Sequence, residues 1–185
     1  MAIEILSKIG KDITESMMRH MQFADIMDFM GCRGFKRMGE YMFYKDAIEL
    51  RKLHRYAINH CNKVIVEKDV PVPDVIPTSW EGAVRQQVDE NTRQKQIRKV
   101  FMACLDYEKA LREKYSAYYQ KLLESGYIHA ADKVMCLIDE NEMAIKHLER
   151  MVLEYGAVDW NMLYIMQQQK KMHDHYKDKT EELFD

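Results

Sequence analysis

All three prolines of this chain fall between residues 71 and 77, and between Gly82 and Gly126 there is neither proline nor glycine. Proline removes a backbone donor and turns the residue before it away from helix, so the stretch around Pro71, Pro73 and Pro77 reads as extended chain. Nearly everything else is open to helix. Gly31 and Gly34 bracket one break, Gly126 follows Ser125, and Gly156 closes a long periodic run, each a place where a helix can end. The punctuation predicts helices over about 3–30, 35–62, 97–124 and 127–155, a crossover over 63–79, and a shorter C-terminal helix over about 159–182. Tight turns at 31–34 and 125–126 make the first two and the next two helices antiparallel hairpins. A helix of this length is roughly 42 Å long, and an extended crossover can span that distance. The expectation is an all-α fold: a four-helix bundle with one long crossover and a shorter fifth helix, forming a single helical domain over 1–185. The run from Arg85 to Gln96 is too polar for core; it either projects into solvent or forms a separate short helix.

Charge narrows the partners. The chain carries 28 basic and 30 acidic residues, which leaves no field to favour nucleic acid or an anionic membrane. No run of apolar residues is long enough for a membrane span, and the N-terminus has no basic segment followed by an apolar one, so the expected address is cytoplasmic. Cys32, Cys61, Cys104 and Cys136 show no Cys-x-x-Cys or zinc-type spacing and read as reduced, mostly buried thiols.

The helical period selects the polar residues that face inward. In the first helix His20 sits in the stripe of Leu6, Ile9, Ile13, Met17, Ala24 and Met27, with Ser16 at its margin and Glu15 directed away. In the second, Asp46 and Glu49 share the face of Phe35, Met38, Met42, Leu53 and Tyr56. Glu108 lies close to the inward face of the third, among Val100, Cys104, Leu111 and Tyr115, and Asn141 lies on that of the fourth. Counted from the tight turns, these positions are level: Glu49 is 15 residues past Gly34, Ser16 is 15 before Gly31, and Asn141 is 15 past Gly126. Packing the hairpins would gather His20, Asp46, Glu49, Glu108 and Asn141 at mid-height. Buried carboxylates cost several kcal/mol each unless a cation or donors compensate them. A divalent metal does so; an oxygen-rich set with one imidazole suits iron, and manganese next. The alternative is a metal-free network of hydrogen bonds and ion pairs with Lys52, Arg112 or tyrosines as donors.

Gly31-Cys-Arg-Gly-Phe-Lys-Arg-Met38, Asp46-Ala-Ile-Glu49, Trp80-Glu-Gly82 after the crossover, Tyr107-Glu108-Lys109 and Glu140-Asn141-Glu142 together resemble the ferritin and bacterioferritin superfamily over about 5–155. The resemblance implies an iron centre inside the bundle, di-iron or mononuclear, with ferroxidase-type or storage chemistry, in a homo-oligomer. Carried over by position, Glu108 matches the third-helix ligand and Asn141 stands where Glu or Gln is usual. The second helix has two registers: Glu49 as the carboxylate with Lys52 where His belongs, or Asp46 and Glu49 as the whole pair. Ile13 occupies the first-helix carboxylate position, for which only Asp12 or His20 could substitute, and Ala144 takes the optional fourth-helix position. Lys52, reaching the site, would replace a metal's charge and leave a metal-free bundle serving as a structural or protein-interaction module.

Overall fold

The computed structural model describes residues 1–75 and 88–184. Its elements are α1 (Ala2–Phe29), α2 (Arg33–Cys61), α3 (Glu90–Glu124), α4 (Ile128–Ala157) and α5 (Met162–Glu182). Among the described residues there is no strand, and no helix is long and apolar enough to cross a membrane. Residues 76–79 of the expected crossover, Trp80-Glu81-Gly82 and the beginning of the polar run lie outside the described residues.

The turns fall where the glycines put them. Gly31 and Gly126 adopt φ +81° and +77°, the left-handed region that other residues enter only at a cost. Two boundaries differ from the sequence expectation. The third helix begins at Glu90 rather than at 97, because Asp89 caps it: the carboxylate accepts from the Thr92 backbone N–H at 2.8 Å and from its hydroxyl at 2.7 Å. The part of the polar run after Asp89 is thus the first turns of one continuous 35-residue helix, not a separate short one. The fifth helix begins at Met162, not near 159, since Asp159 and Trp160 take φ +49° and +55° and Asn161 caps the helix by accepting from Tyr164 N–H at 3.1 Å.

Two apolar clusters fix the relative directions of the long helices. One is built from the C-terminal half of α1, the N-terminal parts of α2 and α3, the C-terminal half of α4 and the face of α5 that runs from Met162 to Tyr176. The other takes the opposite halves of α1 to α4. It follows that α1 and α4 run one way and α2 and α3 the other. The extended segment after α2 makes this possible by running back along α1. Ile65 is buried in the second cluster, Glu67 pairs with His54 at 2.7 Å beside Gly10, and Gln22 donates to the Pro73 carbonyl at 2.8 Å and accepts from Val75 N–H at 3.0 Å. The first cluster centres on Phe101, whose ring meets Phe23, Phe35, Tyr155 and Trp160 with centroids 5.0–5.9 Å apart.

The fifth helix is docked on α2 by backbone proximity. Gly34 N–H donates to Gln169 Oε1 at 2.7 Å, and a Cβ on Gly34 would stand 1.7 Å from the Gln169 carbonyl oxygen. No rotamer change relieves a clash with backbone. Gly34→Ala is therefore expected to cost about 1–3 kcal/mol or more, read as a lower denaturant midpoint, with hydrogen exchange rising across α5. Gly156→Ala, where an added Cβ meets nothing within 4 Å, is the control expected to leave both unchanged.

Candidate functional site

The two apolar clusters leave a gap at the same height in every long helix. In α1 the buried apolar series breaks between Ile13 and Phe23, in α2 between Met38 and Leu53, in α3 between Leu105 and Leu111, and in α4 between Ile138 and Ile145. His20, Asp46, Glu49, Glu108 and Asn141 all fall in those gaps. They line one cavity of about 60 Å³ together with Ile13, Ser16, Met42, Lys45, Leu111, Tyr115, Leu137, Glu140 and Ala144. That is room for an ion and a few waters, since one water needs only about 15 Å³.

A chain of hydrogen bonds crosses the layer and touches all four long helices. His20 Nδ1 lies 2.9 Å from Asp46 Oδ2, and its Nε2 lies 3.1 Å from Glu108 Oε1. Asn141 Nδ2 donates to the other Glu108 oxygen. Burial by itself would push the His20 ring down, but the Asp46 charge, with hydrogen bonds to Asp46, Cys104 and Glu108, outweighs it and holds the imidazole well above its ordinary range. The ring is then an imidazolium donating to two carboxylates. His20, Asp46 and Glu108 together carry one net negative charge. The remaining charges at the rim cancel in pairs, Lys45 with Glu140 at 3.3 Å and Lys52 with Glu49.

One atom is left over. Asn141 is 6 % exposed, and its Oδ1 has no hydrogen-bond partner among the described residues. Its amide cannot be flipped to correct this, because Glu108 requires a donor. An unsatisfied buried carbonyl costs about 1–3 kcal/mol, and a cation or a donor-bearing ligand in the cavity would remove that cost.

The structure thus brings His20, Asp46, Glu108 and Asn141 into one network and places Glu49 on the same cavity, tied to Lys52. Lys52 is 63 % exposed at its side chain and does not line the cavity, so it does not stand in for an interior cation. Asp12 is not at the site either. It is buried and accepts from Lys114 Nζ at 2.7 Å and Tyr118 OH at 2.9 Å, a separate compensated ion pair. Glu15, expected to face away, is instead only 7 % exposed; α3 covers that side of α1, Arg19 pairs with Glu15 at 2.9 Å, and the guanidinium lies 4.3 Å over the Tyr107 ring.

The sequence marks Cys104 only as a buried thiol. In space its sulfur and ligand atoms of His20 and Glu108 all lie within 4.8 Å of one another. Burial keeps the thiol above its ordinary value, partly offset by the hydrogen bond and charge of His20. The usable signal was its place one turn before Glu108, an i, i+4 pair on one helix face. No protein-family model and no curated protein matches the chain.

The imidazolium makes stability depend on pH in one direction. With its folded value raised above the unfolded one near 6.5, His20 contributes stability that is fully present below that value and lost as pH rises through the folded value. In metal-free protein, ring-nitrogen NMR should show His20 doubly protonated at neutral pH. The fall in stability across that window should be weaker in His20→Gln.

Proposed function

We propose that the chain is a ferritin-like four-helix bundle, with α5 added, whose mid-height polar layer binds a single divalent transition-metal ion, ferrous iron first and manganese second. The observation that carries this proposal is the buried Asn141 Oδ1, without a partner among the described residues, on a cavity also walled by His20, Asp46 and Glu108. A divalent ion that displaces the His20 proton would face a neutral imidazole and two carboxylates, and the layer would become electrically neutral. Glu108, Asn141 Oδ1 and one nitrogen of His20 would be its ligands, with Cys104 and Glu49 within reach. The carboxylate hydrogen-bonded to the other ring nitrogen would hold the imidazole in place, as partners of metal-bound histidines do.

Ile13 and Ala144 line the cavity with hydrocarbon where further ligands would be needed for two ions. This favours a mononuclear centre over a di-iron one, and iron binding or oxidation over mineral storage. Self-association and cytoplasmic residence belong to the same proposal. The absence of a nucleic-acid partner does too, supported by the near balance of 28 basic and 30 acidic residues.

A second reading has its own observation: both nitrogens of His20 are already engaged by carboxylates, so a proton alone compensates the layer. The bundle would then be a metal-free structural or interaction module. Anaerobic dialysis against Fe(II) or Mn(II), followed by metal analysis, separates the two. The metal reading expects one ion per chain, lost in His20→Ala and Glu108→Ala. It also expects stabilisation of about 2.7 kcal/mol at a free metal concentration of 100 Kd. Substoichiometric metal with an unchanged melting temperature would leave only the proton-compensated layer.

A further inference from the structure

A second cavity, of about 320 Å³, opens between α2, α4 and α5. Its lining includes the rings of Tyr41 and Tyr176, whose centroids are 5.5 Å apart. Lys179 Nζ stands 5.7 Å from one centroid and 5.9 Å from the other. His147, Arg150 and His175 lie along the same cleft. The only carboxylate among the described lining residues is Glu140, and Lys45 already engages it at 3.3 Å. Arg150 and Lys179 therefore present two positive charges that no carboxylate of the lining answers.

The hydrogen bonds add a third donor. Arg150 can only donate, so its Nη2, 3.3 Å from His147 Nδ1, makes that nitrogen the acceptor. Burial first, then the charges of Arg150, Lys179 and His175, hold His147 below its ordinary value, in the neutral form. The proton of the neutral ring is then on Nε2 and points at the Tyr176 oxygen, 2.8 Å away. Tyr176, 5 % exposed, is thereby used as an acceptor and keeps its own O–H without a recipient among the described residues. A guanidinium, an ammonium and a phenolic O–H thus border one cleft, and among the described lining residues no carboxylate pairs with either cation.

We infer that this cleft is a binding site for a small phosphate-class oxyanion, held by Arg150, Lys179 and the Tyr176 hydroxyl. A tetrahedral oxyanion offers oxygens in several directions and enough charge to answer both cations, and charge-assisted donors of this kind are the strong ones. A planar monocarboxylate answers only one charge. Free phosphate and a phosphate monoester share the chemistry and differ only in what extends past the rim. The inference does not rest on a metal in the interior layer, because none of its three donors touches that layer.

The test is calorimetric titration of the full chain, with no metal added, with inorganic phosphate, glycerol phosphate and acetate in turn, at constant ionic strength set by chloride. Phosphate is expected to bind saturably. The Arg150→Ala/Lys179→Ala double variant should weaken it by about tenfold or more, while its melting temperature in chloride stays at the wild-type value. Ring signals of Tyr41 and Tyr176 should shift during the titration, a readout that does not depend on any variant folding. Equal affinity for glycerol phosphate would assign the site to monoesters as well, and preference for inorganic phosphate to the free ion; either supports the site. Absence of saturable phosphate binding, acetate binding as well as phosphate, unchanged affinity in a folded double variant, or unmoved tyrosine signals would overturn it.

Discussion

The contact on which the rest of the interior depends is His20 held between Asp46 and Glu108. Glu108 is buried and Asp46 half-buried beside it, so the two carboxylates repel each other, and an uncompensated buried charge such as that of Glu108 would cost several kcal/mol. An imidazolium donating at 2.9 Å and 3.1 Å answers both at once, and Asn141 answers the second Glu108 oxygen. These residues come from α1, α2, α3 and α4, so the network forms only when both hairpins are in their final register. Sliding one helix by a turn, about 5.4 Å, would pair hydrocarbon with charge on both sides of the layer. The apolar clusters above and below supply most of the driving force, while the polar layer between them selects one alignment.

Much of this was written in the spacing of residues. Prolines confined to one short stretch and glycines at the tight turns placed five helices, and counting from the turns put the inward polar side chains at one level, where the hydrogen-bond chain is found. What escaped were features decided by neighbours. The cap at Asp89 lengthened α3, because a side chain satisfying an exposed N–H outweighs the polarity of the run behind it. Phe101 is absent from the core that the period of α3 selects, although five aromatic rings meet there; its partners come from α1, α2, α4 and the turn before α5, which the pattern of one helix does not reveal. The period of α1 alone turns Glu15 toward solvent, whereas α3 covers that side of the helix.

Chemistry was harder to see than position. A buried carboxylate announces that something must compensate it, but its sequence does not say whether a proton, a lysine or a metal does so. For Asp12 the answer is Lys114 and Tyr118, residues roughly a hundred positions away that no local pattern connects. For Asp46 and Glu108 it is His20, whose helical stripe did reveal it. Cys104 lacks any familiar metal-binding spacing to another cysteine; its place one turn before Glu108 is the local signal, and its proximity in space to His20 and Glu108 makes it relevant.

The interior layer and the outer cleft are not electrically independent. They share Met42, Lys45, Glu140 and Ala144 as a common wall, with the Lys45–Glu140 pair at the partition. On one side lies a network with a net negative charge, on the other two cations, Arg150 and Lys179, while the one carboxylate among the described lining residues, Glu140, is engaged by Lys45. The field across that wall points inward, which favours a positive charge in the layer and a negative one in the cleft. Each charge lowers the cost of the other, since opposite charges separated by low-dielectric protein attract more strongly than they would in water. The coupling is reciprocal by thermodynamic necessity: whatever an oxyanion does for a cation in the layer, the cation does equally for the oxyanion.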